Sequence, residues 1–165
     1  MKLPEAVFLQ VVKSTPLISI DLIVRNPSGQ ELLGLRKNRP AQGSWFVPGG
    51  RIFKDEYFVD AFARLAHAEL GLTASLADAK FMGPYEHHYA DNVSAENFTT
   101  HYVVLAYQLT LNAGVLQMAA ESEQFSGQFS RQLPKLQHTD YRWFDIDELL
   151  SSPQVHDNTK AYFHN

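Results

Sequence analysis

The sequence predicts an α/β sandwich built on a mixed sheet. Short β-patterned segments are interleaved with one long helix and two or three short ones, an order unlike a regular βαβ array. A hairpin precedes the long helix. At 165 residues, 45% of them hydrophobic, the chain can bury one core and is too apolar to be disordered. One domain over residues 1–165 is therefore expected, with no internal repeat and no linker.

Residues 4–14 carry Val7, Phe8, Val11 and Val12 at helical spacing behind Pro4, which predicts a short first helix. Residues 17–24 alternate as a strand, with Ile18, Ile20, Leu22 and Val24 on one side and Leu17, Ser19, Asp21 and Ile23 on the other. Asp21 is thus a carboxylate inside an apolar strand. The turn cluster Asn26-Pro-Ser-Gly29 leads into a return strand over 31–36, and the loop 37–43 (KNRPAQG) into a short strand over 45–47. Gly49 and Gly50 read as a turn.

Residues 57–70 are helical, with Phe58, Phe62 and Leu65 in one stripe and Gly71 placed to close the C-terminus. A strand over 80–84 gives way to a polar, aromatic loop over 85–98, a length at which loops usually carry function or are disordered. Residues 99–110 (TTHYVVLAYQLT) form the clearest strand. The stretch 119–132 is polar and aperiodic, and reads as a mobile loop. A strand over 141–144 then precedes a short helix capped at Asp145, and a last helix is expected over 153–163.

The chain has no cysteine, so a disulfide framework and a thiolate metal site are both excluded. Its first fifteen residues lack the apolar core of a signal peptide, and no run approaches the ~20 apolar residues of a membrane span. A cytoplasmic protein without a membrane partner is expected. A net charge of −4 with no block of Lys or Arg argues against nucleic acid.

Chemistry concentrates between Pro48 and Leu72. Gly50, Glu56, Arg64, Glu69, Gly71 and Leu72 stand in one register that resembles the Nudix box, G-x5-E-x7-R-E-U-x-E-E-x-G-U, with U a bulky aliphatic. Leu65 and Ala68 occupy two positions where that box has glutamates, and neither can bind a metal or accept a proton. Glu69 is the carboxylate left at the end of the helix. Hydrolysis of a diphosphate ester near neutral pH calls for a hard divalent cation, for which oxygen ligands and waters suffice.

The base must then lie elsewhere, and histidine titrates nearest to working pH. Seven are present: His67, His87, His88, His101, His138, His156 and His164. His138 is preferred, because it follows the long loop at the mouth of a strand, where a loop-borne base can close over a substrate. His87 and His88 compete with it.

The segments SIDLIVRN, GLRKNRPAQGSWFVPGGRIFKDE, AELGL, NFTTHYVVLAYQL and QHTDYRWF together resemble the GDP-mannose mannosyl hydrolase branch of the Nudix superfamily, over residues 14–163. The losses at Leu65 and Ala68 are shared with that branch, while the 119–132 stretch is longer than usual there. The resemblance implies a Nudix-type α/β/α sandwich and an inverting substitution at C1 of the hexose. GDP-mannose, and GDP-glucose with it, would yield GDP and the free sugar by C–O cleavage. It further implies Mg2+, replaceable by Mn2+, held by Glu69, the Gly49 carbonyl and Gln137.

In the same way His138 is implied as the general base and Arg36 as the group that neutralises the departing phosphate. Arg51 and Arg64 would support the phosphates and the box turn, and Asp21 and Tyr102 would line the sugar and leaving-group side. Phe8, Tyr89 and the arginines of the 36–39 loop are the candidates for contact with the base, His87 is a further candidate substrate contact, and the resemblance implies a homodimer. Two other functions fit a gapped box: a pyrophosphohydrolase that cuts the P–O bond of a nucleotide sugar, and a non-catalytic nucleotide-sugar binding module.

Overall fold

The computed structural model describes residues 3–94, 96–112 and 137–164, so the loop expected over 119–132 lies outside the described residues. The elements run α1 (Glu5–Ser14), β1 (Leu17–Arg25), β2 (Glu31–Arg36), β3 (Trp45–Phe46), β4 (Gly49–Arg51) and α2 (Phe58–Leu70). After a 3-10 turn at Leu76–Asp78 follow β5 (Ala79–Tyr89), β6 (Thr100–Thr110), β7 (His138–Phe144), α3 (Ile146–Ser151) and α4 (Asp157–Lys160).

The strands form one mixed sheet in the order β3-β2-β1-β6-β5, with β4 also paired to β1 and β7 to β2. β1 and β6 run parallel, and every other pairing is antiparallel. β1 lies at the centre because both of its faces are apolar, as a strand covered on two sides requires. Ile20, Leu22 and Val24 join Phe62, Leu65 and Leu70 of α2 in one core. Ile23 joins Phe144, Leu149 of α3 and Tyr162 in a second core on the other side. The architecture is the α/β/α sandwich that the sequence predicts.

α2 buries Ala61, Phe62, Leu65, Ala66, Glu69 and Leu70 and ends at Gly71, whose φ of 65° is the left-handed closure that favours glycine. Phe58 does not belong to the buried stripe: as the first helical residue it is 52% exposed. Phe62 is fully buried and meets Tyr107 of β6 edge to face at 5.7 Å.

Three local expectations are corrected. Gly49 and Gly50 are not a turn but part of β4, paired with Asp21 and Ile20 of β1. A Cβ at Gly49 would meet Ile20 O at 2.5 Å and Asp21 Oδ1 at 2.6 Å, so only glycine brings β4 this close. The expected 85–98 loop begins as strand, since β5 continues to Tyr89 with Tyr85, His87 and Tyr89 facing inward. Residues 153–163 hold only the four-residue α4, because Val155 is buried and bridges to Trp45 instead of entering a helix. Among the described residues no helix is long and apolar enough to cross a membrane.

Candidate active site

Four distant segments meet beside the end of α2. Glu69 is 3% exposed, held by the last turn of that helix. The Gln137 side-chain amide donates to Glu69 Oε1 at 2.8 Å and to the Gly49 carbonyl at 3.0 Å. Gln137 is itself pinned, its carbonyl accepting from Lys37 N–H at 3.0 Å. The second carboxylate oxygen, Glu69 Oε2, is shielded from water and has no hydrogen-bond partner among the described residues. Burial is the largest influence on this carboxyl and pushes its pKa up, against the Gln137 hydrogen bond and the charges of Arg36 and Arg64.

An uncompensated carboxylate oxygen in the interior costs free energy, and a cation would relieve it. Turned about its last bond, the Gln137 amide would present its oxygen in place of its nitrogen. The Gly49 carbonyl, the Glu69 carboxylate and the Gln137 amide oxygen are then three hard donors around one point. That set fits Mg2+ or Mn2+.

His138 is fully buried, and it is the first residue of β7 rather than part of a loop. The expectation of a mobile, loop-borne base is therefore corrected. Its ring packs on the backbone of Gly34, where a Cβ would collide with the imidazole. Its position follows from a bulge: Leu35 pairs with Asp140 but Arg36 pairs with His138, leaving Thr139 as the extra residue. In an unbroken strand, residues three apart face opposite sides. Here the bulge turns His138 toward Tyr141, whose hydroxyl lies 3.1 Å from Nδ1.

Tyr141 donates to the backbone carbonyl of Glu69 at 3.3 Å, so Nδ1–H donates to the phenol oxygen and Nε2 keeps the free lone pair. Nδ1 also lies 3.8 Å from Glu69 Oε2. Burial, then the charges of Arg36 and Lys37, lower the His138 pKa to about 3. The imidazole is neutral at working pH.

A second network occupies the other side of β1. Asp21 is 6% exposed, and Tyr162 donates to its Oδ2 at 2.7 Å. The Tyr162 oxygen accepts from His87 Nε2 at 3.0 Å, and His87 Nδ1 accepts from Tyr89 at 3.4 Å. Burial raises the Asp21 carboxyl to about 7, opposed by the Tyr162 hydrogen bond and the Arg36 charge. Burial lowers His87 to about 4, helped by His156 and His88. Tyr102 is raised by burial and feels the charges of Arg51, Arg36 and Asp21. Beside this network a cleft of about 420 Å³ is lined by Arg39, Gln42, Ser44, Tyr89, Asp91 and His156.

Arg36 connects the two networks. Its Nε donates to Pro40 O at 2.9 Å, and its charge reaches Asp21, Glu69 and His138 alike. Arg64 also adds its charge at Glu69, but its hydrogen bonds lie elsewhere. It clamps Glu56 at 2.6 and 2.8 Å and the Arg51 carbonyl at 2.9 Å, which makes it a brace for the box loop. Phe8 lies under the Arg51 guanidinium at 4.0 Å from the ring centroid, and covers that side chain. Tyr141 and Tyr162 escape sequence reasoning, because a tyrosine in an apolar run reads as core until its hydroxyl is placed.

Residues 15–164 match the family described as the NUDIX domain. The chain belongs to the Nudix family. Among curated proteins it is 38% identical, over 74% of its length and 77% of the relative's, to the low-salt glycan biosynthesis protein Agl8 of Haloferax volcanii. Among solved structures it is similar to the MutT protein of Methanosarcina mazei Go1, with a TM-score of 0.62 and 17% identity over 91% of this chain and 92% of that one. The Nudix domain of Shewanella oneidensis NrtR, solved with ADP ribose, gives a TM-score of 0.62 and 17% identity over 98% and 96%. The MutT Nudix hydrolase of Burkholderia pseudomallei gives 0.60 and 24% over 90% and 96%. These structural likenesses establish the Nudix fold.

Proposed function

We propose that this Nudix protein hydrolyses GDP-mannose, and GDP-glucose with it, to GDP and the free sugar by inverting attack of water at C1. The observation that carries the proposal is the convergence of Gly49 O, Glu69 and Gln137 beside His138, at a box in which Leu65 and Ala68 replace two of the glutamates. One carboxylate and two neutral oxygens are a thin ligand set. They suit a cation that is shared with a diphosphate.

When bound, Mg2+ would neutralise the diphosphate and so make GDP a better leaving group. His138 takes the proton of the attacking water at Nε2, while Tyr141 holds the ring in the required tautomer. The new bond joins the water oxygen to C1, and the C1–O bond breaks with its electron pair on the β-phosphate oxygen. Arg36 stabilises the charge that develops there. With the leaving group neutralised in this way, no acid is needed to protonate it. Asp21, with Tyr162 and His87 behind it, and Tyr102 face the sugar and leaving-group side. Arg51 supports the phosphates, and Tyr89 and the neighbouring cleft take the nucleoside.

The Haloferax volcanii relative is named for glycan biosynthesis, and glycans are assembled from activated sugars, so a nucleotide-sugar substrate agrees with that likeness. The proposal includes a homodimer, for which β5, the last strand of the sheet among the described residues, offers an edge. Incubation with GDP-mannose and Mg2+ followed by product separation is the test. GDP and mannose are expected. GMP with mannose 1-phosphate would establish a pyrophosphohydrolase instead, and saturable binding without turnover a binding module.

A further inference from the structure

Along β5, Glu86 and His88 alternate with His87 and Tyr89, and so emerge on the opposite face of the sheet from the Asp21 network. His88 is the direct cross-strand partner of His101 on β6. Their rings stack with centroids 4.2 Å apart and planes 24° from parallel. One ligand atom from each of Glu86, His88 and His101 lies within 4.8 Å of the other two. His101 Nε2 is shielded from solvent and has no hydrogen-bond partner among the described residues.

Cross-strand partners hold their Cβ atoms ~5 Å apart, and the residue two places along the same face is within reach of a long side chain. The backbone therefore sets two imidazoles and a carboxylate around one point before any ligand arrives. Imidazole is a poor ligand for Mg2+ and a good one for Zn2+, Ni2+ and Cu2+. Three protein ligands leave a position for water in a four-coordinate shell. To reach the ~2.0–2.2 Å that Zn2+ requires, the exposed side chains of Glu86 and His88 would turn toward His101.

We infer that Glu86, His88 and His101 form a binding site for a borderline divalent cation, Zn2+ or its neighbours, separate from the hard-cation set at Glu69. A cation there ties the edge strand β5 to β6.

Calorimetric titration of the full chain with ZnCl2, without an added histidine tag and in excess Mg2+, tests the inference. One Zn2+ per chain is expected, with affinity falling at least ~10-fold in His88→Ala and in His101→Ala and unchanged in Glu69→Gln. Unchanged affinity in His101→Ala, or loss in Glu69→Gln instead, would overturn it. Should a variant fail to fold by circular dichroism, Cu2+ electron paramagnetic resonance on the unmutated chain decides. Coupling to two ring nitrogens supports the site, and one or none contradicts it.

Discussion

Gln137 Nε2 stands 2.8 Å from Glu69 Oε1 and 3.0 Å from the Gly49 carbonyl, joining a helix end, a glycine strand and a residue far along the chain. If this is the cation set, Glu69→Gln removes its only charge. We expect kcat/KM to fall by roughly 10²- to 10³-fold or more. Mg2+ should raise the melting temperature of the wild type and not of the variant, since a ligand that binds only the folded state stabilises it by mass action. Removing the metal with a chelator should abolish turnover. Differential scanning fluorimetry with and without Mg2+ reports the first effect, and an equal shift in both proteins would count against the assignment.

His138 should titrate near pH 3 without ligand, because burial and the charges of Arg36 and Lys37 oppose its protonation. In the proposed complex a bound diphosphate would pair with those cations and raise the value. NMR titration of the imidazole with and without GDP follows the change. A value near the ordinary 6.5 in the free protein would contradict the buried environment. His138→Gln should lower kcat by ~10²- to 10⁴-fold with little change in substrate affinity.

Gly34 makes room for that ring. A Cβ there would overlap the imidazole of His138, and overpacking a filled site costs typically 1–3 kcal/mol. Gly34→Ala should therefore lose about that much stability in urea unfolding, and most of its activity with it. A variant as active as the wild type would show that the ring can move without consequence.

Several of these residues were legible in the sequence for physical reasons, and others were not. Glu69 is legible because its register with Gly50, Glu56, Arg64, Gly71 and Leu72 fixes both the helix and the closing glycine. β1 and β6 are legible because their alternation is unbroken. β5 is legible over 80–84, and its continuation to Tyr89 is hidden by Glu86, His87 and His88, which resemble loop composition although they alternate inward and outward. The contact of His138 with Tyr141 depends on the bulge at Thr139, and no one-dimensional pattern reports an extra residue in a strand. Tyr162 reaches Asp21 across 141 positions, a pairing that only the closed second core creates.

Asp21 makes stability depend on pH in a direction that can be checked. Its folded pKa is raised from 3.8 to about 7, so its contribution is fully present below pH 3.8 and is lost as pH rises through 7. The elevation corresponds to roughly 4 kcal/mol as an order of magnitude. His87 and His138 act in the opposite sense, because their lowered values cost stability as pH falls below 6.5. Comparison with Asp21→Asn isolates the carboxylate. The variant should gain stability relative to the wild type between pH 4 and pH 8 in denaturant titrations, whereas a constant difference would mean that Asp21 ionises normally.

In the proposed reaction water attacks the sugar carbon and not phosphorus. Hydrolysis of GDP-mannose in ¹⁸O-water, followed by mass spectrometry of the products, distinguishes the two. The predicted result is ¹⁸O in the free mannose and none in GDP. Label in the β-phosphate of GDP, in GMP or in mannose 1-phosphate would contradict it.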